Sequence, residues 1–153
     1  MTLVAREAAR DDLRTLFKLS VTAEQNDRVT PNSITLAQAA YESGSKVFGL
    51  WDGDVAVGLM ATIDKRAYPW IAPEDDPQSL YLWRLMIDHH HQSKGYGTSA
   101  LNLLVGMARE LGVPRISSSV VNEDGAALPF YEAFGFKATG VIHEGEVVIS
   151  LTL

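Results

Sequence analysis

Leu85-Met86-Ile87-Asp88-His89-His90-His91-Gln92-Ser93-Lys94-Gly95-Tyr96-Gly97-Thr98 is the stretch around which the chain organises itself. The apolar run up to Ile87 reads as a central strand, and Asp88 to Gly97 as a glycine-containing turn. Leu101, Leu104, Val105, Ala108 and Leu111 then fall on one face of a helix, which Gly112 ends in the left-handed conformation with Pro114 just beyond. A strand feeding a helix through such a turn leaves backbone N–H groups at the helix entrance without intrahelical partners. Together with the helix dipole they form a site for an anion. Gly95 and Gly97 let the backbone approach that anion closely, and Lys94 and Gln92 offer side-chain donors. Taken alone, glycines there serve equally well to make a tight turn. The P-loop pattern is absent, and the dinucleotide fingerprint fails because position 100 is alanine.

Working outward, Thr2 to Arg6 alternates like a strand, and Asp11 or Asp12 caps a helix with apolar face Leu13, Leu16, Phe17 and Ser20. Asn32 or Ser33 caps a second helix carrying Ile34, Leu36, Ala37, Ala40 and Tyr41, stopped near Gly44. Val47–Trp51 and Val55–Ile63 flank Asp52-Gly53-Asp54 as a hairpin. Residues 65–79 hold Pro69, Pro73 and Pro77 and read as a long loop. Arg115–Val121 is a strand, Gly125–Phe134 a short helix, and the remainder a hairpin around Glu144-Gly145. The order predicts an α/β (α+β) fold: a mixed, mostly antiparallel central sheet with a parallel pair in its middle, helices on both faces, and one domain over residues 1–153.

With 46% hydrophobic and 21% charged residues the chain has the makings of a folded core rather than of disorder. It has 0 Cys, so disulfides, thiolate metal sites and cysteine nucleophiles are excluded. A net charge of -6 argues against nucleic acid and suits a cationic small partner. No apolar run suggests a membrane span or signal peptide, and the expected location is cytoplasmic.

Gln92-Ser93-Lys94-Gly95-Tyr96-Gly97 matches the Q/R-x-x-G-x-G/A motif of the GCN5-related N-acetyltransferase (GNAT) superfamily. Val120 to Phe136, with Asn122 and the closing Phe130-Tyr131-Glu132-Ala133-Phe134-Gly135-Phe136, resembles the superfamily's strand–Asn–helix segment. Glu24-Gln25, Pro31 to Ala39 and Leu82 to Asp88 resemble its bacterial spermine/spermidine (diamine) acetyltransferase branch. The resemblance implies transfer of acetyl from acetyl-CoA to a primary amine, with a polyamine or other small amine favoured. Protein N-termini, lysine, amino acids and antibiotics are rival acceptors, and a non-catalytic acyl-CoA sensor is the rival of another class. A homodimer is compatible with it.

The resemblance further implies that backbone groups of Leu85, Met86 and Ile87 meet the pantetheine arm and thioester carbonyl. Gln92, Ser93, Lys94, Gly95, Tyr96, Gly97 and Thr98 then hold the diphosphate, and no metal is required. Amine attack on a thioester passes through an oxyanion and expels a thiolate, so a proton must leave nitrogen and another reach sulfur. Tyr131 is the candidate donor to sulfur, its alternative role being core packing beside Phe130 and Phe134. Asn122 either bonds the pantetheine or a water, or makes a turn. Pro129 departs from the usual pattern and delays or kinks the helix carrying Tyr131. No acid stands at Trp83-Arg84, where some relatives place a base, which leaves a water chain, Glu24, or the loop acids Glu74, Asp75 and Asp76 to deprotonate or attract the amine. Trp83 lies towards the acceptor side. His89-His90-His91 reads as a solvated turn rather than a metal site, because consecutive turn residues do not converge on one ion.

Overall fold

The computed structural model describes residues 2–23, 25, 30–123 and 127–153; Glu24 therefore lies outside the described residues. The elements are β1 (Leu3–Glu7), α1 (Leu13–Lys18), α2 (Asn32–Ala39), β2 (Ser45–Asp52), β3 (Val55–Asp64), β4 (Ser79–Ile87), α3 (Tyr96–Leu111), β5 (Arg115–Val121), α4 (Leu128–Phe134), β6 (Lys137–His143) and β7 (Glu146–Thr152). The seven strands form one sheet in the order β1-β2-β3-β4-β5-β7-β6, antiparallel except for β4 with β5. This is the mixed sheet that the element order predicts.

Nearly every residue of β3 is buried, because it is covered on both faces. On one face Leu50, Val57, Met60, Leu82 and Ile116 pack against Ala100, Leu101, Leu104 and Ala108 of α3. On the other, Val47, Leu59, Ala61 and Met86 lie under Leu19 and Leu36. Gly112 stops α3 at φ 75°, its N–H returning to Ala108 and Arg109 carbonyls, as the sequence predicts.

The two N-terminal helices bury only part of the expected faces, Leu16 in α1 and Leu36 in α2 among them. Leu16 is fully buried while Phe17 is 47% exposed, and in α2 Asn32 and Thr35 face inward while Ile34 is exposed. Asn32 is not the cap of α2 either. Its Nδ2 donates to Leu16 O at 2.9 Å and to Leu19 O at 3.5 Å, so a buried amide adds a donor at the end of α1, where Leu16 O otherwise takes only the Leu19 N–H at 3.3 Å. The helix α4 runs from Leu128, with Ala127 as its N-cap and Pro129 in its first turn, while the expected start at Gly125 lies outside the described residues. A missing N–H costs no helical bond there, so the proline starts this helix and does not kink it.

The loop between β3 and β4 is tied to the sheet through Asp76, which accepts from Arg115 Nε at 2.5 Å and Nη2 at 3.0 Å. The Arg115 bond holds the Asp76 carboxyl below its ordinary value, against the opposing pull of burial. A carboxylate depressed in the folded state stabilises above its unfolded pKa of about 4, and that contribution is lost as pH falls through the folded value. Asp76→Asn is therefore expected to cost about 0.5–1 kcal/mol at neutral pH. The gap from the native chain should close in thermal melts near pH 2, about two units below that pKa; a gap independent of pH would refute this role.

Candidate active site

β4 and β5 pair only from Ser79 with Arg115 to Leu82 with Ser118. Ser118 Oγ donates to Leu82 O at 2.8 Å, the last cross-link before the strands part. On the other side of β4, Ala61 pairs with Arg84 and Thr62 with Leu82, leaving Trp83 as an extra, unpaired residue. Such a bulge bends a strand and sharpens its twist, which turns the end of β4 away from β5. The two strands thus splay apart, and Leu85, Met86 and Ile87 border the splay with backbone groups facing no strand on the β5 side. Met86 is buried on the α2 side, so its side chain serves packing.

Asp88 anchors the exit from β4. Its carboxylate accepts from Ser20 N at 2.9 Å and from His90 N at 3.1 Å, and its own N–H donates to Val57 O at 2.8 Å. Burial pushes its pKa up, but these bonds and the His90 ring outweigh it and hold the group below the usual range. His89–His91 forms one 3₁₀ turn. Asp88, His89 and His90 bring ligand-type atoms within 4.8 Å of one another. These atoms are already engaged, His89 Nδ1 with Ser20 O at 2.9 Å and His90 Nδ1 with Asp88 Oδ2 at 3.0 Å.

Gln92 turns its amide inward, Nε2 donating to Ile87 O and to Gln25 Oε1, both at 3.0 Å. It thereby shapes the turn rather than offering that nitrogen to a ligand. Ser93 at φ 62° and Gly95 at φ 84° are both left-handed, and Gly95 is the N-cap of α3 with no side-chain cap. Ser93, Lys94, Gly95 and Thr98 are exposed at this mouth. Tyr96 differs from its expected place: its ring is 7% exposed within the core and its hydroxyl donates to Asp52 Oδ2 at 2.5 Å. Only its backbone is left for the site. A Cβ on Gly97 would stand 3.1 Å from Phe130 Cζ, so this glycine lets α4 close against α3.

A groove of about 1050 Å³ runs from this turn along residues 85–87 to Val120, Val121 and Tyr131. Tyr131 is 7% exposed and packs edge-on to Phe130 and Phe136, with ring centroids 5.1 and 5.5 Å away. Desolvation raises its pKa well above that of an ordinary phenol, so it remains protonated. Asn122 is exposed beyond the end of β5.

A second cavity of about 480 Å³ opens on the other side of the splay. The three loop acids fare differently there. Asp76 is committed to Arg115 and is not an amine ligand. Asp75 accepts from Ala72 N at 2.8 Å and lies 3.3 Å from Lys65 Nζ. Glu74, at the rim, is 3.7 Å from His143 Nδ1. Lys65 is buried, its ammonium 4.4 Å from the Tyr68 ring centroid and 4.8 Å from that of Tyr81.

Residues 6–136 match the acetyltransferase (GNAT) family. The chain belongs to that family. It is similar to a probable spermine N(1)-acetyltransferase of Bacillus subtilis subsp. natto (strain BEST195), 26% identical over 152 residues and covering 97% of both chains. Among solved structures it shares its fold with PaiA N-acetyltransferase from Thermoplasma acidophilum in complex with coenzyme A, at TM-score 0.70, 15% identity and 100% coverage of both chains. A GNAT family acetyltransferase from Elizabethkingia anophelis with acetyl-CoA bound superposes at TM-score 0.67 and 12% identity, over 99% of this chain and 98% of that one. The protein is thus a GNAT enzyme, an acetyl-CoA-dependent N-acetyltransferase. Among the described residues no helix is long and apolar enough to cross a membrane.

On this GNAT scaffold five residues line both cavities: Tyr81, Trp83, Arg84, Ser119 and Glu146. Of these five, only Trp83 is placed near the acceptor by the sequence. Arg84 is desolvated, which lowers its pKa, and its Nε is buried without a partner among the described residues. Glu146 opens β7 opposite Val121, the last residue of β5. The one signal in the sequence was a carboxylate at the head of an apolar strand, masked by the turn acid Glu144 two residues earlier.

Proposed function

We propose that residues 1–153 act as one acetyltransferase domain that moves acetyl from acetyl-CoA to a primary amine, with polyamines and diamines as preferred acceptors. The observation that carries this reading is the meeting of two cavities at the open end of β4 and β5. The larger groove fits an extended thioester ligand. Its diphosphate would lie on the uncapped N–H groups at the entrance of α3, with Lys94, Ser93 and Thr98 at the rim. The pantetheine would run along the backbone of Leu85–Ile87, with Asn122 near its outer end. Hydrogen bonds of that arm to β4 replace the ladder that β5 abandons after Leu82. The chemistry is proton transfer and charge stabilisation, for which the chain's own residues suffice and no metal is needed.

The smaller cavity suits a cationic amine. Glu42, Glu74, Asp75 and Glu146 line it, and its wall already holds the Lys65 ammonium between Tyr68, Tyr81 and Asp75. Aromatic faces and carboxylates are the partners an alkylammonium seeks. The likeness to a probable spermine acetyltransferase and the net charge of -6 support the same choice. Thiol release from acetyl-CoA should be measured against spermine, spermidine, putrescine, amino acids and peptides. The polyamines are expected to give kcat/KM at least about tenfold above the amino acids, a difference of about 1.4 kcal/mol. Background hydrolysis with every amine would overturn the reading.

A further inference from the structure

We infer that Glu146 is the base that takes the proton from the amine acceptor; this rests on the transfer reaction proposed above. Its position carries the inference. Of the five residues shared by the two cavities, Glu146 is the one carboxylate, and it stands where an amine entering from the acidic side would meet an acyl group lying along β4. Its register opposite Val121 puts it at the wide end of the splay.

The other acids, Glu42, Glu74, Asp75, Asp76 and Glu144, line the smaller cavity alone, and three of them are engaged. Asp76 is held by Arg115, Asp75 by Lys65 and Ala72 N, and Glu74 lies beside His143. Glu42, whose Oε2 is buried without a hydrogen-bond partner among the described residues, lines the smaller cavity and not the groove along β4. Among the described residues the charged neighbours of Glu146, Arg84, His143 and Glu144, act on it through space and not through a side-chain hydrogen bond. The charges facing it are Arg84 and His143, which favour its ionised form, and Glu144, which opposes it; the Tyr81 phenol lies against the same space. Desolvation is the strongest of these influences and raises its pKa towards neutrality, the direction that suits a base working near pH 7.

In the step, the Glu146 carboxylate takes one proton from the ammonium and the freed amine attacks the thioester carbonyl. The C–N bond forms and the C–S bond breaks. The remaining surplus proton on nitrogen passes to Tyr131 as Tyr131 gives its own to the departing sulfur, and Glu146 returns its proton to water. The balance is ammonium plus thioester to amide, thiol and one proton.

The test compares native chain, Glu146→Gln and Glu146→Asp with acetyl-CoA and the best amine of the panel, from about pH 5 to pH 9, with calorimetric binding of acetyl-CoA alongside. Glu146→Gln is expected to lower kcat at neutral pH about 30- to 100-fold, with acetyl-CoA affinity within about twofold. The native kcat should level off above the carboxylate's pKa, whereas that of Glu146→Gln should keep climbing towards the amine's own pKa. Glu146→Asp, which keeps the carboxylate, should retain the levelling profile and carries the test if the glutamine variant fails to fold. A Glu146→Gln enzyme with native kcat and profile, or with only a raised KM for amine, would overturn the inference while leaving the transfer reading intact. Absence of turnover in the native chain would remove both.

Discussion

Exchanging Tyr131 for phenylalanine is expected to reduce kcat by about a hundred- to a thousandfold while acetyl-CoA affinity stays within about twofold. The substitution removes one oxygen and leaves the ring contacts with Phe130 and Phe136 in place, so the core should not notice it. What disappears is a hydroxyl that burial keeps protonated, at the groove wall facing β4. A thiolate expelled into the same dry space is itself poorly solvated and therefore more basic than in water, so a high phenol pKa does not disqualify the donor. The nitrogen becomes strongly acidic once it is acylated, and it recharges the phenol. Steady-state rates and calorimetry on the same two proteins decide the matter. Unchanged kcat would return Tyr131 to a packing role, and weakened acetyl-CoA binding at unchanged kcat would make it a binding residue instead.

How far the sequence foretold this site depends on the range of the interactions involved. Local signals were reliable. The apolar stripe of α3, its left-handed stop at Gly112 and the strand limits Arg115–Val121 follow from periods and caps that neighbouring residues set among themselves. The mouth of α3 was legible for the same reason, since uncapped N–H groups are a property of any helix start. Side-chain destinations were not. Tyr96 points to Asp52, 44 residues away, at the end of a strand on the far side of β3 and β4 in the chain, a contact that no local pattern encodes. Asp76 finds Arg115 across 39 residues, through a parallel pairing whose register no local pattern encodes. Asn32 is buried because the end of α1 needs a donor, and Glu146 reaches the site because β7 runs beside the free end of β5. Each of these four depends on tertiary register: from the sequence Tyr96 looked like a diphosphate contact, Asn32 like a cap, and the two acids like turn or loop residues.

Register also explains why the second large effect is expected from a residue outside both cavities. Gly58→Ala should destabilise the protein by about 2–4 kcal/mol, a fall in Tm of about 5–15 °C for a chain of this size. A Cβ at Gly58 would sit 2.3 Å from Met86 O, 3.0 Å from Ile87 Cδ1 and 3.2 Å from Leu50 Cδ1. Side chains can swing aside, but the Met86 carbonyl belongs to β4, and β4 is held at this point by the Gly58–Ile87 pair and by the Asp88 N–H on Val57 O. Relief requires moving the backbone of Leu85–Ile87, the segment proposed to carry the pantetheine arm. Molecules that still fold should therefore bind acetyl-CoA at least about tenfold more weakly, a loss of about 1.4 kcal/mol. Gly106→Ala in the middle of α3 is the control, since nothing lies within 4 Å of its added Cβ. There the gain in helix propensity should raise stability by about 0.5–1 kcal/mol. Thermal melts and calorimetry on both variants separate the effects. If Gly58→Ala melted with the native chain, β4 would be free to shift at its end, and the rigidity that this site requires of Leu85–Ile87 would be absent.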